Sequence, residues 1–598
     1  MRGTKMGQTS VIISAAFVLS LAACGGGSAT GGADGTEPDT SAVDAGQVDG
    51  LSSDGVTGPR VDGHDFSQSA AEGAARAGRI DDPSGLLWGP KVEGRVGDIR
   101  MDNAHVAFVL AEVRRCSGYG YWGGNVRDAV ARRPDGSWTP DHFGELFFGW
   151  NLDLFSPETV EIVDDGRVSG TAHVRYVGET VGFHFADSVI AGFLNLDPPE
   201  VGLVYDYTLG ANDRALSLTV TFQNTRSVPV WIDWPIAFTH FGDGAFPYAP
   251  KHGFSDLSGE LIPYHGLAGR EVSYGLISEY DDLTSFFTYA GVSLVQADAF
   301  EISPMSDLSR SFHIMATARG PAGLDIGRRV ALGMDEDATE VTGQVTLPIS
   351  ASHEETWVVV RKAEDDELVT LAPVDGEGRW GVELLPGAYT VTAYAEHHAA
   401  SPSVAVEAPT GDAPAPALEI PGAAQVRVSV SETSTGQATP ARVTFVRTGE
   451  TPTAFAPSNV RPSQKTWSGN QSAVAYVTAD DALVSMPPGT YQVTASRGPT
   501  HEIDQRLVTV EAGDTTDLPM TVEQVIDTTG WLSGDFHIHA WWSPDSYVPW
   551  TIRARQAATE DLDLPILTEH VYIGSLADAI EEVGVGDHAI GVTGQEVT

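Results

Sequence analysis

The chain has 598 residues, 42% of them hydrophobic, and its 81 acidic residues against 35 basic ones give a net charge of −46. The length predicts about three to five domains, and the hydrophobic fraction is that of a folded protein. A surface this acidic repels phosphate groups and anionic lipid headgroups, so we expect no nucleic-acid partner. The charge is spread along the chain, which favours a role in solubility.

The N-terminal segment has the pattern of an export signal. Arg2 and Lys5 precede an apolar run over 11–21 that is too short to span a bilayer. The letters LAAC that end at Cys24 resemble a bacterial lipobox, which implies a lipoprotein signal peptide over 1–23 and a lipid on the cysteine. A plain secretory signal with an incidental cysteine is the alternative.

Residues 24–65 are rich in glycine, serine and aspartate, a composition typical of a flexible acidic tether. Cys116 is the other cysteine of the chain, so we expect no intramolecular disulfide once Cys24 carries a lipid. The lipobox implies a location in the bacterial cell envelope, on the periplasmic side or at the cell surface. Contact with the membrane would then be made through the lipid anchor.

Residues 66–337 consist almost wholly of β-strand patterns. After an alanine-rich piece at 67–78 that we predict to be helical, apolar and polar residues alternate in about a dozen segments bounded by Gly, Asp or Asn. This succession predicts a large antiparallel β-sandwich. The segment VYDYTLGANDRALSLTVTFQNTRSVPV at 204–230 resembles the galactose-mutarotase-like supersandwich of carbohydrate-active proteins.

Aromatic segments of this region have two interpretations. The stretches at 117–125 (SGYGYWGGN) and 143–155 (FGELFFGWNLDLF) are rich in rings, including Tyr119, Tyr121 and Trp122. The rings either fill the core or stack on a bound carbohydrate. Paired histidines and acids would be needed for sugar chemistry of the mutarotase type. Candidates by residue type alone, to which we assign no role, are His240, His252 and Glu260.

Two smaller modules follow, at 338–421 and 422–527. The segment ELLPGAYTVTAYA recurs 102 residues later as SMPPGTYQVTASR, and in both a Pro-Gly turn precedes an alternating strand. Both units resemble carboxypeptidase-regulatory, transthyretin-like β-sandwiches, which implies that they act as spacers or as walls that present a substrate. The proline-rich segment at 410–422 is the expected joint between them.

Residues 528–598 change to a pattern of strand, helix, strand, helix and strand. The strands contain WLSGDFHIHA, LDLPILTEH and HAIGVTGQEVT, and the helices PWTIRARQAATED and SLADAIEEVG. Pro549 begins the first helix and Gly584 ends the second, as these residue types often do. This order implies parallel strands with right-handed crossovers, the opening of an α/β barrel.

Polar side chains follow each of these strands. His537 and His539 are two residues apart and therefore point to the same side of the first strand. His570 follows the second strand and Glu596 the third, and the C-terminal ends of barrel strands meet on one face. Asp545, in the loop after the first strand, can reach this face. Three imidazoles and two carboxylates suit Zn, Mn or Fe, which accept mixed nitrogen and oxygen ligands.

The segments GDFHIHAWWSPDS, LTEH and GQEVT resemble the first motifs of the PHP (polymerase and histidinol phosphatase) superfamily of metallohydrolases, most of all its CehA/McbA branch, related to carbaryl hydrolases. The resemblance implies that His537 and His539 hold one metal and that Glu596 helps to bridge a metal pair. It also implies that His570 and Asp545 hold a further ion. The complete domain would then bind about two or three divalent ions.

Two further residues are expected just outside the metal ligands. Asp535 lies on the same strand face as the two histidines and is placed to orient an imidazole. Glu569 precedes His570 where the family usually has an aspartate, so its side chain is one methylene longer. This departure changes the surroundings of the ligands and leaves His570 in place.

The sequence stops at Thr598, just after the third strand of this pattern. The barrel of the family has about seven βα units, and three parallel strands do not close a barrel. The later motifs of the family supply further histidines and a closing Asp-x-His. We therefore interpret 528–598 as the N-terminal part of a PHP metallohydrolase domain in a truncated gene product, and a naturally degenerate form is the alternative.

Together these features predict a multidomain, mainly β protein followed by an incomplete α/β PHP barrel. The function expected from the resemblance is metal-assisted hydrolysis of a small-molecule phosphate, carboxyl or carbamate ester by a metal-activated hydroxide. The alternative is a non-catalytic cell-envelope lipoprotein whose β-domains bind carbohydrate or partner molecules. Mutarotase-like sugar chemistry in the large sandwich is a third possibility.

Overall fold

The computed structural model describes residues 64–596 apart from 68–69, 72, 117–119, 184–195, 242–245, 256, 290–291, 335–336, 350, 397, 410–415, 449–459, 461–470, 479–480, 544–545, 547 and 571. The expected signal peptide, Cys24 and nearly all of the expected tether lie outside these residues. The described chain is a mainly β protein with several separate sheets, so the prediction of a multidomain, mainly β fold is confirmed. No helix in the described part is long and apolar enough to cross a membrane.

The first module contains strands β1–β19 and helix α1. The strands are β1 Arg76–Arg79, β2 Ile99–Asp102, β3 Val106–Leu110, β4 Val126–Ala131, β5 Phe143–Trp150, β6 Asp153–Asp165, β7 Thr171–Gly182, β8 Gly202–Gly210, β9 Ala215–Asn224, β10 Val230–Ile232, β11 Pro235–Phe241, β12 Phe246–Tyr248, β13 Leu261–Ile262, β14 His265–Ala268, β15 Ser273–Ser278, β16 Leu283–Tyr289, β17 Val292–Gln296, β18 Phe300–Ile302 and β19 Ser306–Thr317. Helix α1 is Gly320–Ala331.

Seventeen of these strands form one continuous antiparallel network, and β10 pairs with β18 separately. The long strands β6, β7, β8 and β9 follow one another as a meander, and β19 closes against β9. Alternate residues of β8 and β9 are buried, as expected for strands with one face on a core. At the centre of that core Trp150 donates its indole N–H to the hydroxyl of Tyr205, over 3.1 Å.

The helix expected at 67–78 is a wrong prediction. The end of that segment is strand β1, which pairs with β2 so that Ala77 lies opposite Met101. Both side chains are fully buried. Burial against a neighbouring strand therefore outweighs the intrinsic helix preference of alanine, which amounts to less than about 1 kcal/mol per residue.

The two aromatic segments differ in how far their rings are buried. Strand β5 is buried along its whole length, and its rings pack in the core. The rings of Phe148 and Trp150 are stacked, with their centroids 5.6 Å apart. Tyr121, by contrast, is 43% exposed, and the guanidinium of Arg115 lies over both its ring and that of Trp122. Tyr119 and the side chain of His240 lie outside the described residues.

The second and third modules are two-sheet sandwiches. The second contains β20 Thr339–Thr346, β21 Thr356–Lys362, β22 Leu368–Pro373, β23 Arg379–Leu384, β24 Gly387–Ala395, β25 Val404–Ala408 and β26 Ala417–Glu419. The third contains β27 Ala424–Glu432, β28 Ala441–Arg447, β29 Gln471–Val477, β30 Ala482–Met486, β31 Gly489–Ser496, β32 His501–Glu502, β33 Asp504–Val510 and β34 Thr515–Gln524. In each, the first strand pairs in parallel with the last, β20 with β26 and β27 with β34.

The repeated sequence occupies the same place in both sandwiches. It forms strands β24 and β31, and the tyrosine of the Pro-Gly-x-Tyr motif in each copy is buried in its own core. Tyr389 donates its hydroxyl to the carbonyl of Leu385 over 2.9 Å, and Tyr491 donates to that of Pro487 over 2.5 Å. Each tyrosine therefore fixes the Pro-Gly turn that precedes its strand.

The C-terminal module contains β35 Gly534–Ile538, α2 Trp550–Thr559, β36 Leu564–Leu567, α3 Ala577–Glu582 and β37 Val592–Thr593. Both strand pairings are parallel, with β36 between β35 and β37. The two helices and the strands share a small core of alanines and aliphatic side chains, including Ala554 and Leu567. Strand β35 is mostly exposed, and Phe536 on it is 69% exposed. A closed PHP barrel is not formed by the described strands.

Candidate metal centre

The ends of the three parallel strands bring their polar side chains together. His537 is on β35 and His539 follows its last residue, while His570 comes shortly after β36. Glu596 follows β37 and forms an isolated parallel bridge with His570. The side chains at these strand ends lie on one edge of the sheet because the strands run in the same direction.

The carboxylate of Glu596 lies among the three imidazoles. Its Oε2 atom is 2.9 Å from Nε2 of His537 and 3.1 Å from Nε2 of His539. Its Oε1 atom is 3.8 Å from Nδ1 of His570. The ring centroids of His537 and His539 are 4.8 Å apart, as are those of His539 and His570. One carboxylate thus faces three imidazoles in a row.

The centre opens to solvent at one end. The side chain of His537 is 46% exposed, whereas those of His539 and Glu596 are 15% and 14% exposed. His570 is buried. A small molecule therefore has access from the His537 side, and the opposite side is closed by the protein.

Ser543 supports two of the histidines at once. Its Oγ atom is 2.8 Å from Nδ1 of His539 and accepts a hydrogen bond from the backbone N–H of His570, over 3.2 Å. A ligand at Nε2 of His539 requires the ring proton on Nδ1, and Ser543 is placed to accept it. The buried serine thereby fixes the ring orientation that turns Nε2 towards Glu596.

The two expected supporting acids make different contacts. Asp535 is exposed and accepts the backbone N–H of His537 over 3.1 Å, so it contacts the backbone and not a ring. Glu569 is fully buried and accepts hydrogen bonds from the Ala540 amide and the Trp550 indole, both over 3.0 Å. Burial raises the pKa of Glu569 above its ordinary value. The extra methylene lets this side chain tie the end of β35 to helix α2.

The first module contacts the loop after His570. The hydroxyl of Tyr572 donates a hydrogen bond to the carboxylate of Glu93. The ammonium of Lys91 lies 5.7 Å from the centre of the Tyr572 ring and is buried. Burial lowers the pKa of Lys91 to about 8, and the carboxylate of Glu569 is the largest influence that opposes this shift. Residues about 480 positions apart in sequence thus meet at the loop that follows His570.

The third module holds the other side of this region through helix α2. Arg497 donates to the backbone carbonyl of Ala558 over 3.1 Å and to the carboxylate of Asp561 over 2.6 Å. The side-chain amide of Gln556 donates to the hydroxyl of Tyr476 over 2.9 Å. The C-terminal module is therefore fixed to both the first and the third modules.

Four of the five expected metal ligands meet in the structure: His537, His539, His570 and Glu596. The fifth, Asp545, lies outside the described residues. Sequence reasoning missed Ser543, Tyr572 and Lys91. Ser543 was within reach of prediction, since it stands four residues after His539 in the motif. Lys91 and Tyr572 depend on contacts between distant modules, which leave no local pattern in the sequence.

The ligand atoms suit a divalent metal ion that is neither very hard nor very soft. Ligand atoms of His537, His539 and Glu596 all lie within 4.8 Å of one another. A tetrahedral ion with bonds of about 2.0–2.2 Å needs donors about 3.3–3.6 Å apart, which small side-chain movements reach from here. Imidazole nitrogen with carboxylate oxygen is a combination suited to Zn, Mn and Fe.

Comparisons with known proteins found solved structures of low similarity. No protein-family profile matches the sequence, and no curated protein matches it. A galactose mutarotase-like protein from Lactobacillus casei shares 12% identity and a TM-score of 0.24, over 37% of this chain and 100% of that chain. The shaft pilin SpaA from Lactobacillus rhamnosus GG shares 7% identity and a TM-score of 0.20, over 32% of this chain and 99% of that chain. A Synechocystis protein shares 10% identity and a TM-score of 0.24, over 38% of this chain and 97% of that chain.

Proposed function

We propose that the C-terminal module is a metal-dependent hydrolase of the PHP type. The observation that supports this most strongly is the meeting of three imidazoles on the carboxylate of Glu596. The residues that would hold the first divalent ion are His537, His539 and Glu596. His570 lies beside them, with its Nδ1 atom 3.8 Å from the carboxylate of Glu596. Asp545 belongs to the proposed ligand set through the resemblance of the motif alone.

A divalent ion at this centre supplies Lewis acidity and lowers the pKa of water towards neutrality, which is the chemistry that ester hydrolysis requires. The protein would contribute position and shape. Ser543 holds the proton of His539 on Nδ1, and Glu569 fixes the strand end through the Ala540 amide. The exposed side of His537 leaves room for the substrate. Phosphate esters and carboxyl or carbamate esters both present an electrophilic centre that a metal-activated hydroxide would attack.

We further propose that the protein is exported and anchored through a lipid on Cys24. The basic residues, the apolar run and the LAAC sequence at the N-terminus support this. The test is metabolic labelling of the expressing bacteria with a radioactive fatty acid. Label in the wild type that disappears in Cys24→Ser supports the anchor, and equal label in both contradicts it.

The hydrolase proposal is tested with protein stripped by a chelator and then supplied with Zn²⁺ or Mn²⁺. The substrates are p-nitrophenyl phosphate and p-nitrophenyl acetate, and bound metal is measured in parallel by elemental analysis. We expect activity that depends on the metal and is lost in His537→Ala together with bound metal. His588→Ala is the matched control, since this histidine lies in the same module outside the centre and should leave both unchanged. Activity that survives the chelator, or that His537→Ala leaves intact, contradicts the proposal.

A second candidate function is carbohydrate binding by the first module. The exposed ring of Tyr121, adjacent to Trp122 and backed by Arg115, favours it because flat exposed rings stack on sugars. Retention on insoluble glycans that persists in chelator and falls in Tyr121→Ala supports it. Retention that is equal in Tyr121→Ala contradicts it.

A further inference from the structure

A cleft of about 70 Å³ lies where the first module, helix α1 and the second module meet. Its charged and titratable lining residues are His105, Arg132, Arg214, Arg319 and Glu383. We call it the arginine cleft. None of these residues belongs to the C-terminal module, so the cleft is separate in its lining from the candidate metal centre.

Three distant parts of the chain bring the arginines together. Arg132 follows β4, and its guanidinium lies 4.7 Å from the centre of the Trp138 ring. Arg214 is in the turn between β8 and β9, and Arg319 immediately precedes helix α1. Because each side chain starts from a well-defined strand or helix end, the cleft is a built feature of the fold and not a run of neighbouring residues.

Positive charge is in excess at this cleft. Three guanidinium groups line it with one carboxylate, that of Glu383, which already accepts a hydrogen bond from Arg329 over 2.6 Å. Arg319 pairs with Glu340 over 3.0 Å, at 42% exposure. Arg214 makes no ion pair or hydrogen bond through its side chain with any residue that the structure describes. This excess stands out in a chain of net charge −46 with only 35 basic residues.

Arg214 is influenced by both like and opposite charges of the cleft. Burial of part of the side chain lowers the pKa of Arg214, the neighbouring charge of Arg319 lowers it further, and the carboxylate of Glu383 opposes both. Two like charges near each other in a cleft are unfavourable unless an anion lies between them. The first turn of helix α1, which borders the cleft at Gly323, adds the partial positive charge of a helix amino end.

We propose that the arginine cleft binds one small oxyanion, either a phosphate ion or the carboxylate of an acidic sugar. Guanidinium groups hold such anions with two parallel hydrogen bonds, which a lysine does not reproduce. At about 70 Å³ the cleft exceeds the roughly 10–15 Å³ that a cavity needs, on the same measure, to hold one water molecule, so a group of several heavy atoms enters. The site is independent of the hydrolase proposal.

The test is isothermal titration calorimetry of the full chain at low ionic strength with sodium phosphate and, separately, sodium glucuronate. We expect a Kd of about 1 mM or tighter for at least one of them. Binding of phosphate alone identifies an inorganic or phosphoryl ligand, and binding of glucuronate alone identifies a sugar acid. Heats at the level of dilution for both ions overturn the proposal.

The variants are Arg214→Gln and Arg214→Lys, with Arg226→Gln as the control. Arg226 is another partly exposed arginine of the first module, paired with Glu200, so its replacement removes the same charge elsewhere. We expect Arg214→Gln to weaken binding about tenfold or more and Arg214→Lys to recover it only in part. Thermal melting confirms that each variant is folded. Equal weakening by Arg226→Gln would show a non-specific charge effect and overturn the site.

Discussion

One buried cluster of the first module consists of opposite charges. The carboxylate of Asp102 is fully buried and accepts hydrogen bonds from Arg76 and Arg100. At the centre of the C-terminal module the groups that face one another are three imidazoles and the carboxylate of Glu596. In the first cluster opposite charges face one another, whereas the second presents lone pairs that a cation satisfies together.

The two clusters are therefore expected to respond differently when one of their side chains is replaced. Removal of one member of a buried cluster of opposite charges lowers the stability of the fold, because the remaining charge stays buried without a partner. A cluster of metal ligands loses affinity for its ion, and the fold of the metal-free protein gains or loses little. Each of the following substitutions is expected to change mainly the stability of the fold or mainly the affinity for a metal ion.

The largest effect is expected for Asp102→Asn. The substitution leaves Arg76 and Arg100 without their carboxylate, and we expect the free energy of unfolding to fall by about 3–5 kcal/mol. Denaturant unfolding measures it. The control is Asp517→Asn, whose exposed pair with Arg427 is worth no more than about 1 kcal/mol. An Asp102→Asn protein as stable as the control would show that the buried pair does not stabilise the first module.

A pH-dependent effect of about 2–3 kcal/mol is expected at Asp325 of helix α1. Burial raises the pKa of this carboxyl to about 6, and the hydroxyl of Tyr264 donates to it over 2.8 Å. The folded state therefore binds the proton more tightly than the unfolded state. This contribution to stability is complete below pH 3.8, the unfolded pKa, and is lost as the pH rises to about 6.

Asp325→Asn removes this titration while it keeps an oxygen for Tyr264. The measurement is denaturant unfolding of both proteins between pH 4 and pH 7. We expect the wild type to lose stability relative to the variant as the pH rises through this window. Parallel curves for the two proteins would show that Asp325 titrates normally.

Ser543→Ala is expected to act on the metal and less on the fold. It removes the acceptor of the His539 ring proton, and we expect the affinity for Zn²⁺ to fall about 10–100-fold. Ser546→Ala is a matched control, because this nearby serine contacts the backbone carbonyl of His539 and no ring. Competition with a coloured chelator measures both. Equal affinities in Ser543→Ala and the wild type would show that the serine does not orient the ring.

The smallest effect is expected for Tyr572→Phe, which breaks the hydrogen bond between the two regions. Glu93 keeps its ion pair with Arg127, so we expect a loss of only about 1 kcal/mol in unfolding free energy. Denaturant unfolding measures this loss. A loss as large as that of Asp102→Asn would show that the interface belongs to the buried network.

Much of the fold was predictable from local patterns. Alternating strands, the repeated Pro-Gly-x-Tyr unit and the strand–helix order after residue 530 all depend on residues close in sequence, and the structure has them. The segment at 67–78 failed because the partner that buries Ala77 is β2, beyond any local window. Closure of the last module into a PHP barrel remains a prediction.

The candidate centre was also predictable only where it depends on local sequence. His537, His539, His570 and Glu596 were placed together by one rule, that the ends of parallel strands share an edge. Lys91 and Glu93 come from the first module and reach Tyr572, in the loop after His570, only through packing between modules. Composition and spacing carry no trace of such contacts, so a structure is needed to find them.

The central claim is that the four side chains form a metal site, and titration of Co²⁺ into chelator-treated protein tests it most directly. Visible absorption reports nitrogen and oxygen ligation of this ion without any substrate. We expect the wild type and His588→Ala to bind with a Kd in the micromolar range or tighter, and His539→Ala and Glu596→Gln to bind at least about 100-fold more weakly. Absence of binding in the wild type, or equal binding in His539→Ala, would contradict the account.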